Sequence, residues 1–181
     1  MNTIAPMDLG ISSSNLDAIL AKLEVDLTNG LVPVEIFSDA AVFAAELDKI
    51  FTKSWVFLGF ESEIANSGDF MQRRIGRDSV IVTRDRNGEI HVMANFCRHR
   101  GTKLCQTDQG NTTHFRCPYH GWVFKNNGDW TGAPDKTKAY KGMDASKWGL
   151  LKAPHVESYL GMIFACLDPD APSLMDYLGG A

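Results

Sequence analysis

The chain has 181 residues, 44% hydrophobic and 22% charged, the proportions of an ordinary globular protein rather than a fibrous or disordered one. That length suits one well-buried domain with something appended, and excludes an enzyme that carries full-sized electron-transfer and substrate domains together. Eighteen Lys and Arg against 22 Asp and Glu give a formal charge of −4, so no chain-wide positive field exists to gather nucleic acid or anionic lipid, and neither is expected as a partner.

Met1 to Leu9 holds no positive patch followed by an apolar stretch, and Arg73-Arg74 lies too far inside to act as an export signal, which makes the cytoplasm the expected compartment. Leu16, Ile19, Leu20, Leu23 and Leu27 recur at helical spacing, with Ser14 or Asn15 as a start and Asn29-Gly30 as a stop. After the extended Leu31-Val32-Pro33, Ser38 or Asp39 is placed to cap a second helix whose apolar side holds Phe43, Leu47, Ile50 and Phe51. Both stripes read as packing faces without chemistry. From Trp55 the texture changes to short β-rich segments. Val80-Ile81-Val82 and Ile90-His91-Val92-Met93 flank Asn87-Gly88, and a second hairpin is expected at Asn127-Gly128, between Trp122-Val123-Phe124 and Trp130. The expected class is mainly β with N-terminal helices (α+β), built as an antiparallel sandwich or barrel rather than a parallel sheet. The longest apolar run, Met162 to Leu167, is far short of the roughly 20 residues of a membrane span. Asp168-Pro169-Asp170-Ala171-Pro172 has the character of a domain exit.

Four cysteines are too few for a disulfide scaffold, and their clustering with histidine points to a metal or to catalysis. Cys97-Arg98-His99 and Cys117-Pro118-Tyr119-His120 are two short segments, each offering one thiolate and one imidazole. An intervening hairpin is expected to fold back so that they face one another. Gly101 and Gly121 follow the pairs, where an absent Cβ would let backbone amides approach an inorganic centre. A single zinc could take all four donors in a closed tetrahedron. A [2Fe-2S] cluster would split them, both Cys on one iron and both His on the other, the Rieske arrangement. Ligand chemistry alone does not choose. The spacing favours the cluster, because zinc sites of this composition tend to put two Cys in one half and two His in the other, whereas here each half is mixed. Cys105 and Cys166 have no partner at ligand spacing and read as buried structural residues. His91 and His114 read as satisfied core or surface histidines.

The segments Cys97-Arg98-His99-Arg100-Gly101 and Cys117-Pro118-Tyr119-His120-Gly121-Trp122 resemble the Rieske motif of the large (α) subunits of bacterial aromatic-ring-hydroxylating dioxygenases. The similarity runs from about Val32 through Gly68-Asp69-Phe70 and Tyr159-Leu160-Gly161 to Asp176-Tyr177-Leu178-Gly179. The resemblance implies a Rieske fold with a cluster-binding subdomain of two loops, and Cys97, His99, Cys117 and His120 as ligands of one [2Fe-2S] cluster. It implies a ferredoxin or reductase as electron donor and the catalytic domain of a neighbouring α subunit as acceptor, in a homo- or hetero-oligomer with or without a β subunit. It also implies a mononuclear iron held by two His and a carboxylate. After His120 the only histidine is His155, so that second iron, Fe(II), is expected only in a catalytic domain outside this chain. The organisation expected is a helical extension over 1–54, the Rieske domain over 55–168 and a linker over 169–181, with the chain as the amino-terminal part of a longer α subunit confined to electron transfer. A free-standing Rieske ferredoxin and a zinc-stabilised binding module are the alternatives. The cysteine pair that clamps the two cluster loops in respiratory Rieske proteins would fall at Thr102 and Tyr119; neither is Cys, so a potential near the low end of the Rieske range is expected. Arg98 and Arg100 are placed to steer an acidic ferredoxin or dock a neighbouring subunit, and Tyr119, Trp122 and Phe124 to shield the site from water.

Overall fold

The computed structural model describes residues 13–179; the first twelve residues of the expected extension and the last two of the expected linker lie outside them. The chain divides into two compact units, Met1–Thr52 and Lys53–Ala181.

In the first unit, α1 (Ser13–Thr28) ends where expected, with the Gly30 amide donating to the Leu27 carbonyl from a φ of +72°. α2 (Glu35–Ser38) and α3 (Ala40–Lys49) follow. Asp39, not Ser38, caps α3, its carboxylate accepting from the Ala41 and Val42 amides at 2.7 and 3.3 Å. The stripes differ from expectation. Ile19, Ala41 and Val42 are buried, but Phe43 is 58% exposed, and Leu20, Leu27, Ile50 and Phe51 also face outward. Helical spacing aligns side chains on one face without supplying a partner, and these short helices carry more apolar surface than they can cover among themselves.

The second unit is antiparallel throughout, in three sheets. The central one takes the order β4 (Ile90–Ala94), β3 (Asp78–Arg84), β2 (Asp69–Ile75), β5 (Gln109–Asn111). A second pairs β1 (Val56–Phe60) with β10 (Met162–Cys166) and β9 (His155–Tyr159). The third is β6 (His114–Arg116), β7 (Val123–Lys125), β8 (Trp130–Gly132). Alternation along the central strands feeds two cores. Phe70, Ile81 and Met93 join Phe115, Phe124 and Trp130 in one, while Met71, Val80, Val82 and Val92 join Leu58, Ile163 and Ala165 in the other. The central sheet is thereby buried on both faces.

Both expected hairpins form, as longer turns in which only the glycine takes positive φ, +84° at Gly88 and +91° at Gly128. In the first, Asp85 organises the turn: Oδ1 accepts from the Asn87 and Glu89 amides at 2.8 and 3.0 Å, and Oδ2 lies 3.1 Å from His91 Nε2. Asp85, Glu89 and His91 bring their donor atoms within 4.8 Å of one another. Both Asp85 oxygens are already engaged there, so the trio closes a turn. Burial raises the Asp85 pKa, but His91 and the two amides together outweigh it and hold it below the ordinary carboxylate range. A carboxylate depressed in this way contributes stability that is complete above its unfolded-chain value, about 4, and lost as pH falls through the lower folded-state value. Denaturant midpoints measured across acid pH should therefore fall less steeply for Asp85→Asn than for the unaltered chain; parallel slopes would count against the ionised carboxylate.

Candidate metal centre

The two Cys-His segments adopt one backbone design. In Cys97-Arg98-His99-Arg100-Gly101 the Gly101 amide donates to the Cys97 carbonyl at 2.8 Å, and the Cys97 amide donates to Thr102 O at 2.8 Å. In Cys117-Pro118-Tyr119-His120-Gly121 the Gly121 amide reaches the Cys117 carbonyl at 3.0 Å and the Cys117 amide reaches Trp122 O at 2.7 Å. Each loop turns back over five residues through a left-handed glycine, φ +74° at Gly101 and +68° at Gly121. The glycines' own amides close the loops onto the cysteine carbonyls, which leaves the neighbouring backbone amides to act on a bound group. The amides that favour the ionised sulfur are those of His99 and Arg100, which lower the Cys97 pKa.

Gly101→Ala meets no atom within 4 Å and pays only for its backbone, whereas Gly121→Ala would also set a Cβ 3.0 Å from Pro134 Cγ. A left-handed alanine costs about 1–2 kcal/mol. Both variants should lower the denaturant midpoint, Gly121→Ala more; equal shifts would show that Pro134 yields freely.

The loops hang from different sheets. The first follows β4 of the central sheet, and the second is the β6–β7 connection of the third sheet. No hairpin joins them, contrary to expectation: β5 pairs with β2 and β6 with β7, and Thr112-Thr113 carries the chain from one sheet to the next. An edge strand on each sheet satisfies more backbone groups than a short self-paired ribbon would. Asn95 fastens the first loop at its base. Its buried amide donates to the Cys105 carbonyl at 3.0 Å and accepts from the Cys105 amide at 2.8 Å, closing the chain around residues 96–104. Cys105 and Cys166 are free and buried, Cys105 in the core that also holds Cys97 and Cys117, Cys166 in a separate one.

Together the loops gather the four singled-out side chains by kind. Cys97 and Cys117 lie in the same core, 2% and 3% exposed. Burial first, then the Cys117 thiol, pushes Cys97 up to about 11 despite the His99 and Arg100 amides. The His99 and His120 rings lie at the rim, half-buried, with centroids 4.7 Å apart. Burial, followed by the nearby His120 and Arg100 charges, lowers the His99 pKa and favours the neutral imidazole, the form that ligates metals.

Around them, Trp122 and Phe124 are buried as expected, but Tyr119 is 60% exposed and lies against the His120 ring at 3.7 Å, a surface flank instead of a shield. Arg98 is half-buried with an Nε that has no hydrogen-bond partner, and Arg100 is exposed. His91 Nε2 is paired with Asp85, and His114 Nδ1 is 3.0 Å from Thr113 Oγ1. Tyr140 and Trp148, which no motif in the sequence marks, pack their rings edge-on against Trp122 at 5.5 and 5.7 Å; their one signal is aromatic residues in an otherwise polar connection.

A model of the Rieske [2Fe-2S] domain matches residues 54–159. The chain is 54% identical over 165 residues to the N,N-dimethyl phenylurea N-demethylase subunit alpha of Sphingobium sp. (strain YBL2), covering 91% of this chain and 36% of that protein. It is 44% identical to the biphenyl 2,3-dioxygenase subunit alpha of Rhodococcus jostii (strain RHA1), covering 91% and 35%. Among solved structures, naphthalene 1,2-dioxygenase from Rhodococcus sp. bound to indole superposes with a TM-score of 0.87 at 46% identity, over 92% of this chain and 38% of the other. The chain thus spans about a third of the length of the relatives it matches.

Proposed function

The chain belongs to the Rieske [2Fe-2S] domain family, and from that premise we propose that it is the electron-transfer part of an aromatic-ring-hydroxylating dioxygenase α subunit, with Cys97, His99, Cys117 and His120 as its cluster ligands. The observation that carries the ligand assignment is the sorting of donors: two thiols buried in one core, two imidazoles side by side at its rim. A tetrahedral zinc would draw all four donor atoms to within about 4 Å of one another. Among the described residues the trio that gathers within 4.8 Å is Asp85, Glu89 and His91, and no three of these four donors do so. That spread fits a two-metal group and disfavours the zinc module. When bound, a [2Fe-2S] group supplies a one-electron carrier.

The chain's own residues then have distinct tasks. Cys97 and Cys117 would hold the inner side in a water-poor core, where the His99 and Arg100 amides favour negative charge on sulfur. His99 and His120 hold the outer side, where protein partners can approach. The exposed Arg100 offers an acidic ferredoxin or reductase a positive contact, and the neighbouring α subunit's catalytic domain is the acceptor. The mononuclear iron and the O₂ chemistry belong to the part of the relatives that this chain does not span. Among the described residues no helix is long and apolar enough to cross a membrane, and the free cysteines suit the cytoplasm, where we place the protein.

Iron and acid-labile sulfide analysis, with electron paramagnetic resonance after dithionite reduction, should show a mixed-ligand two-iron cluster; a colourless protein holding one zinc would overturn the reading. The N-demethylase relative, at 54% identity, favours a second reading of the reaction alone, oxidative N-demethylation of an aryl urea. Assaying the α subunit that contains this chain on biphenyl and on N,N-dimethyl phenylurea separates the two. A chain that shuttles electrons to a separate soluble oxygenase would instead be a free-standing ferredoxin.

A further inference from the structure

The two imidazoles at the rim are held in different ways. His120 has the exposed Tyr119 ring beside it. His99 lies flat on Trp122, ring centroids 5.1 Å apart and planes 5° from parallel. Trp122 is 1% exposed and is itself fixed: its indole Nε1 donates to the Tyr140 hydroxyl at 3.1 Å, and the Tyr140 ring stands edge-on to it at 86°. Such pairing is not automatic in this core, since the indole nitrogen of the neighbouring Trp130 is buried without a partner. We propose that Tyr140 and Trp122 are a positioning pair for His99, the Tyr140 hydroxyl fixing the indole and the indole fixing the plane of the imidazole.

The inference rests on reading His99 as a ligand and adds what orients it. Rotation of a histidine ring about its last side-chain bond is broad, so rotamer preference alone does not hold a ring nitrogen in one direction. A metal ligand needs that direction fixed, usually by hydrogen bonds around the ligating ring. Here a flat, buried indole does it by restricting the imidazole to planes parallel to its own, while the single Nε1–Oη bond stops the indole from turning within its pocket. Without the hydroxyl, a buried N–H is left unpaired, and the indole gains reason to rotate toward another acceptor.

The test uses the cluster-loaded chain and Tyr140→Phe, which removes one oxygen and keeps the ring. Pulsed paramagnetic resonance on the reduced protein reads the nitrogen couplings of the two histidines, and a chelator reads iron release. Tyr140→Phe should broaden or split the couplings of one histidine while sparing the other, and should release iron about tenfold faster, the factor expected from one buried hydrogen bond. Val92→Ala, in the core on the other face of the central sheet, controls for general loosening and should leave the couplings unchanged. In a Trp122→Phe background, which has no indole N–H, adding Tyr140→Phe should change nothing further, because the two residues act in series. Unaltered couplings and release in Tyr140→Phe, or an equal effect of Tyr140→Phe in the Trp122→Phe background, would overturn the inference while leaving the cluster assignment standing. An unaltered chain with no two-iron signal would overturn the assignment, and the inference with it.

Discussion

Cys117→Ser should emerge from purification colourless, with iron and acid-labile sulfide reduced from about two of each per chain to less than a tenth of that. Serine is nearly isosteric with cysteine, so the loop closed by the Cys117 and Gly121 backbone bonds can still form. What changes is the donor, since a hydroxyl does not readily give up its proton to become an anionic ligand at neutral pH. The effect extends beyond colour, because a group that binds only the folded chain contributes its binding free energy to folding. The variant should therefore melt earlier and bind apolar dyes more readily. Cys105→Ser and Cys166→Ser are the matched comparisons. Both positions are buried and free, so each substitution disturbs packing to a similar degree, yet both variants should keep the cluster. Retention of iron in Cys117→Ser, or its loss in Cys105→Ser, would remove the proposed ligand set.

Trp122→Ala should be the most destabilising single truncation in the second unit, by about 3–5 kcal/mol. The indole is enclosed by Trp130 at 5.0 Å, Tyr140, Trp148 and the His99 ring, so its removal opens a cavity lined by four other rings. Rigid aromatic walls collapse poorly into such a space, which places the expected value toward the upper end. The Tyr140 hydroxyl also loses its donor. Against a typical total stability of 5–15 kcal/mol, this leaves the fold marginal at best. Urea titration of the loaded protein measures it; a loss under about 1 kcal/mol would mean that the pocket refills and that the ring cluster is loosely packed.

Local signals in the sequence carried much of this architecture. The Cys97 and Cys117 segments are contiguous, so short spacing was enough to single out the four donors. The strands flanking Gly88 and Gly128 were visible because turn chemistry and alternation are both local properties. What the sequence did not show depends on partners far along the chain. The outward face of Phe43 depends on what is available to cover it, which helical periodicity does not encode. The separate homes of β5 and β6 depend on edges offered by β2 and β7, so two strands next to each other in sequence could be mistaken for a hairpin. Tyr140 reaches Trp122 across 18 residues of loop and short helix, with no repeat to announce the meeting. At Gly101 and Gly121 the left-handed turn depends on hydrogen bonds back to Cys97 and Cys117, which the residue type alone does not display.

The two-faced central sheet has a last consequence, for fidelity of assembly. Ile81 and Met93 look toward the thiols while Val80, Val82 and Val92 look the other way. A slip of β3 or β4 by one position would invert every one of these at once, driving aliphatic residues into the wrong layer and swinging Cys97, three residues past the end of β4, to the opposite side. Strand alignment and donor placement are therefore a single decision during folding, and a misaligned chain offers no half-built site to capture iron.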